Sequence, residues 1–361
     1  MRILIFLAGL LLASLAQADA ARVDTGTLDG AHYRIDVPAQ WNRGLVVYFH
    51  GYSIGDVRFD AGRPLPDSLG KLVERGYAVA QSGYSRSGWA VEQAVADSER
   101  LRRFFVKRHG KPTRTLAMGA SMGGLLTVHA VETMPQVYAG GLALCGALGA
   151  AGDLVQHAFD VRAAFDAYFP DLLGPLVPVP ADYMPDRLVG ERIAEALRSN
   201  PTAAAALRSL QPGSTDDNLP DVIAFLGYVV KEVQQRTGAN PFDNRDFAYV
   251  GTGDDANLNA RVRRYSGDAA AMPYLARWYT PSGKLERPVL ALHTLADPLV
   301  PVSWPNGYAL RTRTAGRGAN FVQQWVEREG HCTLRADEIA GAFDDLVGWI
   351  GGQRPPSGSR R

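Results

Sequence analysis

Short apolar runs alternate along this chain with stretches of helical spacing, and this alternation constrains the fold more than any other feature. Five runs have the continuous apolar character of strands buried on both faces of a sheet: 44–50, 77–80, 115–118, 141–145 and 288–294. Strands that alternate with helices indicate an α/β fold. We therefore predict a mostly parallel sheet with helices on both faces.

The other elements of this core follow from local patterns. Alternating polarity around Asp29-Gly30 predicts a β-hairpin over 23–38. A further strand is expected at 321–326. Helical spacing of apolar residues predicts helices at 66–75, 91–109, 122–134, 303–315 and 335–350.

The alternation stops between residues 147 and 286. This segment is rich in Ala, Pro and aromatic residues, and its candidate helices are 152–168, 188–199, 202–210, 219–236 and 255–264. It is too long for a loop. We predict a helical cap inserted between two parts of the α/β core, 21–146 and 287–350. The polar tail 351–361 is expected to be disordered.

The first twenty residues have the layout of a secretory signal peptide. Arg2 precedes an apolar run at 3–15, and small residues follow it; cleavage after Ala18 or Ala20 fits equally well. An uncleaved anchor is the alternative, although the run is short for a membrane span. We expect a periplasmic or secreted protein with no stable membrane anchor after cleavage of the signal.

Composition limits the possible partners. The chain has 361 residues, enough for one large domain or two small ones, and its formal net charge is +1. Without a broad basic excess, nucleic acid is not an expected partner. No metal-ligand spacing stands out among seven histidines and two cysteines, so neither a metal nor a cofactor is predicted.

A candidate nucleophile lies in the sequence Gly119-Ala120-Ser121-Met122-Gly123, between a predicted strand and a predicted helix. Glycines on both sides of Ser121 allow the two backbones to crowd together at a sharp turn, which exposes the serine hydroxyl. The alternative is an ordinary glycine-rich strand–helix turn. A serine hydroxyl also needs a base and a group that orients the base.

Both partners follow in the sequence, each after a predicted strand. Asp297 comes directly after the 288–294 strand, and His331 follows the 321–326 strand and a glycine. Backbone amides of Met122 and Tyr52 are the expected oxyanion donors, since one follows the nucleophile and the other follows the 44–50 strand. Asp254 and Asp255 are rival acids, but they lie inside the predicted cap.

These motifs resemble those of the α/β-hydrolase superfamily over roughly residues 23–350. The serine turn, the His50-Gly51 loop, the Asp-x-x-Val-Pro loop at 297–301 and the Gly330-His331 pair match as they stand. The resemblance implies an α/β-hydrolase fold with Ser121 as nucleophile, Asp297 as acid and His331 as base. Two further stretches, 279–285 and 292–294, look like secreted bacterial hydrolases of the prolyl-oligopeptidase type.

The two cysteines are Cys145 and Cys332. In an oxidising compartment such a pair tends to form a disulfide; two buried free thiols are the alternative. A cysteine directly after the histidine also resembles tannases and fungal feruloyl esterases, where it bridges to a cysteine preceding the nucleophile. Here that position is Ala120, so their specificity does not carry over, and Cys145 is the remaining partner.

The leading hypothesis is an exported serine hydrolase that cleaves carboxylic esters through an acyl-enzyme. A serine peptidase with the same triad and a catalytically silent binding protein on the same scaffold are the alternatives. The substrate is expected to be a small ester or a short peptide. His50 and His293 are interpreted as structural. Eight aromatic residues are candidates for a pocket wall, a few of them touching substrate: Trp89, Tyr168, Phe169, Tyr183, Phe225, Tyr228, Trp278 and Tyr279.

Overall fold

A single eight-stranded sheet forms the centre of the molecule. The structure, a computed structural model, describes residues 21–358, so the predicted signal peptide lies outside the described residues. The strands are β1 (Arg22–Leu28), β2 (Ala31–Val37), β3 (Gly44–Phe49), β4 (Ala78–Ser82), β5 (Arg114–Ala120), β6 (Gly140–Leu144), β7 (Val289–Ala296) and β8 (Phe321–Glu329). Their order in the sheet is β1-β2-β4-β3-β5-β6-β7-β8.

Most of the sheet is parallel. β1 and β2 form the predicted hairpin, and β2 pairs antiparallel with β4. From β4 onward every neighbouring pair is parallel. The predicted mostly parallel sheet is therefore confirmed. The C-terminal ends of β3, β5, β6, β7 and β8 consequently point to one edge of the sheet, which is where ligands bind in folds of this kind.

Helices cover both faces of the sheet. They are α1 (Asp67–Glu74), α2 (Val91–His109), α3 (Met122–Thr133), α10 (Ser303–Thr314) and α11 (Ala336–Ile350). Side chains of a strand alternate between faces, so Val46 packs in a cluster with Leu72 of α1 and Phe343 of α11. Its neighbour Val47 packs instead in the cluster that contains Phe105 of α2. Both faces of β3 are therefore buried, as its continuous apolar sequence predicts.

Between β6 and β7, a segment that the structure describes throughout, the chain forms six helices and no strand. They are α4 (Ala151–Tyr168), α5 (Arg187–Ser199), α6 (Pro201–Leu210), α7 (Leu219–Thr237), α8 (Asp255–Arg261) and α9 (Pro273–Arg277). We call residues 147–286 the helical insertion. Apolar residues of α4 and α7 belong to the same buried cluster as the adjoining face of the sheet.

The helical insertion differs from the prediction at two places. The helix predicted for 255–264 ends at Arg261, and α9 was not predicted. Asn244 explains the early end: its side-chain amide donates to the Arg263 carbonyl at 3.1 Å, and its oxygen accepts from the Tyr265 amide at 2.7 Å. These bonds hold the chain after α8 extended against another loop and compete with further helix.

Two observations concern the described chain as a whole. Across residues 21–358, no helix combines the length and the apolar character needed to cross a membrane. The described part of the predicted tail, 351–358, contains neither helix nor strand and is mostly exposed.

Candidate active site

Ser121 stands at the turn between β5 and α3 in a conformation that side chains rarely adopt. Its φ is +60° and its ψ is −122°. The turn is forced by close packing: a Cβ at Gly123 would lie 2.0 Å from the Phe49 carbonyl oxygen, and one at Gly119 would lie 2.3 Å from the Gly123 oxygen. Both positions therefore require glycine. The Ser121 amide donates to the Leu144 carbonyl at 2.9 Å, which ties the turn to β6.

Asp297 is completely buried directly after β7. Its Oδ1 accepts hydrogen bonds from the backbone amides of Leu299, at 2.9 Å, and Val300, at 2.8 Å. Its Oδ2 lies 2.8 Å from His331 Nδ1. The carboxylate is thus fixed by its own loop, which we call the acid loop (297–301), and faces a histidine on the next strand end.

His331 follows β8 in a loop that is anchored to β7. The Gly330 amide donates to the Ala296 carbonyl at 2.9 Å, and the Thr294 hydroxyl donates to the Gly330 carbonyl at 2.9 Å. Because Nδ1 faces Asp297, this nitrogen carries the proton of the neutral imidazole. Nε2 then presents a lone pair, the form needed in a general base.

Ser121 stands on a strained turn between a strand and a helix. An aspartate and a histidine follow later strands of the same mostly parallel sheet, so the chain order is Ser, Asp, His. The chain has the α/β-hydrolase fold. The location of the site agrees with this fold, since all three residues follow strands at the same edge of the sheet.

One cavity of about 370 Å³ brings most of the predicted site residues together. Ser121 and His331 line it, as do Tyr52 and Met122. Asp297 does not line the cavity but contacts His331 from within the protein. The rival acids engage groups of the helical insertion: Asp254 accepts from Tyr168, and Asp255 accepts from Thr252.

The loop after β3 passes close to the serine. A Cβ at Gly51 would lie 3.2 Å from both the Ser121 Cβ and the Ala120 carbonyl oxygen. The same loop is held by the Gly88 amide, which donates to the Ser53 carbonyl at 2.7 Å. Tyr52, the next residue of this loop, lines the same cavity as Ser121.

Two histidines near the site are structural, as interpreted from the sequence. His50 is mostly buried, its ring stacks on Tyr84 at 3.9 Å, and burial lowers its pKa. His293 is buried in β7, donates from Nε2 to the Val300 carbonyl at 2.8 Å, and also has a pKa lowered by burial. Its Nε2 also lies 3.7 Å from Asp297 Oδ2, so His293 contacts the acid loop at two residues, Asp297 and Val300.

A disulfide joins Cys145, directly after β6, to Cys332 beside the candidate base. The two Cα atoms are 5.3 Å apart, and the Cys332 Sγ lies 3.6 Å from His331 Nε2. The predicted pairing is confirmed, and the alternative of two free thiols is wrong. The bond connects the loop that contains His331 to the end of β6, the strand to which the Ser121 amide is bonded.

Two helices of the insertion form the outer wall of the cavity. α4 contributes Leu154, Val155 and Ala158, and α7 contributes Phe225, Leu226 and Val229. Of the eight aromatic candidates, Trp89 and Phe225 line the cavity, and the two rings of Phe225 and Tyr52 meet edge to face at 5.1 Å.

Two polar residues of the helical insertion contact the site loops and were missed by the sequence analysis. Gln211 is completely buried, and its Nε2 donates to the Pro298 carbonyl of the acid loop at 2.8 Å. Glu232 on α7 accepts from the Trp89 amide at 3.1 Å. No local pattern distinguishes these residues from other helical Gln and Glu, since their partners are 87 and 143 positions away.

Within residues 21–358, no group of three or more His, Cys, Asp or Glu side chains is placed to hold a metal ion.

Solved structures to which the chain is similar include two peptidases and an esterase. No protein-family model and no curated sequence matches the chain. It is similar in structure to an acylaminoacyl peptidase of Pyrococcus horikoshii, with a TM-score of 0.47 and 9% identity over 93% of this chain and 42% of that chain. A puromycin-hydrolyzing peptidase of Mycobacterium tuberculosis gives 0.47 and 15% over 97% and 42%. An esterase of Pyrococcus furiosus gives 0.47 and 11% over 94% and 92%.

The chain therefore spans about two fifths of the length of the two peptidases and nearly all of the esterase. At these scores and identities the similarities identify no substrate.

Proposed function

We propose that this protein is an exported serine hydrolase that cleaves carboxylic esters through an acyl-enzyme. Ser121 is the nucleophile, His331 the general base and Asp297 the acid that orients it. The observation that carries the proposal is the pairing of His331 with the buried Asp297, on the cavity that also contains the strained Ser121.

The reaction follows from the hydrogen bonds of the three residues. Asp297 keeps the proton of His331 on Nδ1, so Nε2 accepts the proton of the Ser121 hydroxyl as its oxygen attacks the ester carbonyl. The resulting imidazolium is stabilised by the buried carboxylate. It then donates the proton to the leaving alcohol, and a water molecule activated by the same nitrogen releases the acid.

The negative oxygen of the tetrahedral intermediate needs two preorganised donors. Met122 is the first residue of α3, where backbone amides lack partners within the helix. The helix N-terminus also favours negative charge. We assign the amides of Met122 and Tyr52 to this role, the second because the Gly51 backbone lies so close to Ser121.

Covalent labelling of Ser121 tests the proposal. A fluorophosphonate probe should modify Ser121, and Ser121→Ala should lower hydrolysis of p-nitrophenyl acetate by at least about a thousandfold. Ser199→Ala, at an exposed position at the end of α5, is the matched control and should retain activity. An unlabelled Ser121, or near-wild-type turnover by Ser121→Ala, contradicts the proposal and favours a non-catalytic protein. Efficient release of amino acids from peptides, with no ester turnover, favours a peptidase instead.

Export is supported by the disulfide, because such bonds persist mainly in oxidising compartments. The expected outcome is recovery of the mature protein outside the cytoplasm with an N-terminus at Asp19 or Ala21. N-terminal sequencing of the fractionated protein measures this, and a cytoplasmic protein that retains residues 1–20 contradicts export.

A further inference from the structure

We propose that the cavity at Ser121 selects substrates whose acyl group is apolar and uncharged, and that it rejects acyl groups with a free amine next to the scissile carbonyl. This inference rests on the proposed function and names its substrate class. It also rests on three features of the cavity: the side chains of its wall, the partners of the nearby charges, and the apolar residues that α4 and α7 contribute.

The wall carries no ionised side chain. Among the described residues, those lining the cavity include no Asp, Glu, Lys or Arg. Apart from Ser121, His331 and Tyr52, the side chains of the wall are aliphatic, aromatic or sulfur-containing. An ammonium group that entered this space would lose its hydration and find no carboxylate to compensate for it, which is strongly unfavourable.

The carboxylate on α7 is already engaged. Glu232 is mostly buried and does not line the cavity. It pairs with Arg236 and accepts from the Trp89 amide at 3.1 Å, while Arg236 also donates to the Ser87 carbonyl. Glu232 therefore fixes the backbone of the loop that carries Trp89, and it is not available to a substrate amine. Burial also raises its pKa.

The part of the wall that α4 and α7 contribute is apolar. Ala158 on α4 and Val229 on α7 face the cavity from helices that pack against each other. Both side chains line the cavity and neither is large, so the space left for an acyl chain depends on their volumes. The length of acyl chain that fits should change when these side chains change.

A matched pair of esters tests the rejection of charge. Leucine ethyl ester and 4-methylpentanoic acid ethyl ester differ by the α-amino group, which is mostly protonated at about pH 6.5. Each kcat/KM is divided by the rate constant for hydroxide hydrolysis of the same ester, which removes the electronic effect of the ammonium. We expect the uncharged ester to be favoured at least about a hundredfold. Equal values, or a preference for the leucine ester, contradict the inference.

Two variants with opposite volume changes test the wall. With p-nitrophenyl esters, kcat/KM should rise roughly three- to fourfold for each methylene until the cavity is filled. Ala158→Phe should move the preferred chain to shorter acyl groups, and Val229→Ala should move it to longer ones. Gln235→Ala, an exposed change on α7, should leave the preference unchanged. A chain-length profile that is flat, or identical in all three variants, overturns the assignment of this wall.

Labelling of Ser121 separates this inference from the proposed function. If the probe labels Ser121 and p-nitrophenyl acetate is hydrolysed while the leucine ester is preferred, the substrate class is wrong and the hydrolase assignment stands. If Ser121 is neither labelled nor required, the substrate class and the hydrolase assignment are both wrong.

Discussion

Ser121 has a positive φ although it is not glycine, a conformation that costs on the order of 1–3 kcal/mol. The surrounding contacts hold it there. Gly119 and Gly123 allow β5, α3 and the end of β3 to approach within van der Waals contact, and the Ser121 amide is bound to β6. The position of the hydroxyl is therefore a property of the packed turn and not of the serine alone.

Gly123→Ala tests this packing. Its Cβ would lie 2.0 Å from the Phe49 oxygen and 3.0 Å from the His50 oxygen, both backbone atoms, so β3 and α3 must separate. We expect esterase activity to fall at least about a hundredfold and the free energy of unfolding to fall by about 2–4 kcal/mol. Kinetics with p-nitrophenyl acetate and urea unfolding measure the two effects.

Gly70→Ala is the matched control. Gly70 lies inside α1, and an added Cβ there meets no atom within 4 Å. This variant should keep full activity and gain about 0.5–1 kcal/mol, since alanine favours helix. If Gly123→Ala behaved like Gly70→Ala, the close packing would not be what holds the serine turn.

At the residue scale, the sequence identifies those candidate site residues that lie in short motifs. The glycines around Ser121 and the loop positions of Asp297 and His331 are visible in short motifs, because each follows its strand directly. By contrast, Gln211 contacts the acid loop only through the tertiary fold, so no local pattern predicts its role.

At the scale of elements, the helical insertion contacts the loops of the candidate site as well as lining its cavity. The Gln211 oxygen accepts from His157 Nε2 of α4 at 2.7 Å, and its amide donates to the Pro298 carbonyl. A Cβ at nearby Gly213 would lie 2.5 Å from the Asp297 carbonyl oxygen. The segment after α6 therefore packs directly on the acid loop, and Gln211 links that loop to α4.

Gln211→Leu tests this link. It leaves the Pro298 carbonyl and the His157 ring nitrogen buried without their partner, at a cost of about 1–3 kcal/mol. We expect kcat to fall about tenfold with little change in KM, since the acid moves while the cavity wall stays. Gln211→Glu retains the acceptor for His157 but not the donor to Pro298.

An activity of Gln211→Glu close to that of Gln211→Leu would identify the bond to Pro298 as the important one. Ser209→Ala, at an exposed position near the C-terminal end of α6, is the control and should change neither kcat nor KM. Wild-type kinetics in both Gln211 variants would show that the acid loop does not depend on the insertion.

The disulfide is the second link between elements. Cys145 and Cys332 are 187 positions apart, so their bond restricts the unfolded chain strongly and contributes about 2–5 kcal/mol. It also tethers the residue next to His331. We expect Cys145→Ser/Cys332→Ser to lower both the melting temperature and kcat.

Dithiothreitol should lower the activity of the wild-type protein and leave that of the double variant unchanged. The second result is the control for effects of the reductant elsewhere. A wild-type protein that was fully reduced, as shown by thiol titration, and still retained its kcat would contradict a role in positioning His331.

The predicted elements agree closely with the observed helices and strands, because apolar periodicity records which face of each element is buried. The order of the strands within the sheet, by contrast, could not be predicted from the sequence. Nothing in the sequence states that β3 lies between β4 and β5, since that order depends on how the connections cross the sheet. The same is true of the cavity wall, where two of eight aromatic candidates are found and aliphatic residues of α4 and α7 supply the rest.

For the molecule as a whole, the helical insertion contains buried ionisable groups that the proposed reaction does not use. Burial raises the pKa of Asp160 on α4 to about 7, opposed by hydrogen bonds from Gln156 and Tyr249. Burial likewise raises the pKa of Asp166 to about 6, opposed by its ion pair with Arg162. The stability of the fold should therefore depend on pH in the neutral range.

Asp160→Asn tests this dependence. The folded protein keeps the Asp160 proton up to a pH of about 7, whereas the unfolded chain releases it near 3.8. Between these values the folded state binds more protons, so the free energy of unfolding falls as pH rises. The asparagine variant lacks this loss. Its stability relative to wild type should therefore increase between pH 5 and pH 8 by about 3 kcal/mol.

Urea unfolding of both proteins at the two pH values measures the change, and the other titrating groups cancel in the difference between them. Asp153→Asn is the matched control, because Asp153 is exposed on the first turn of the same helix. If the difference between Asp160→Asn and wild type changed with pH no more than that of Asp153→Asn, Asp160 would be ionised in the folded protein throughout this range, and burial in α4 would not govern its proton.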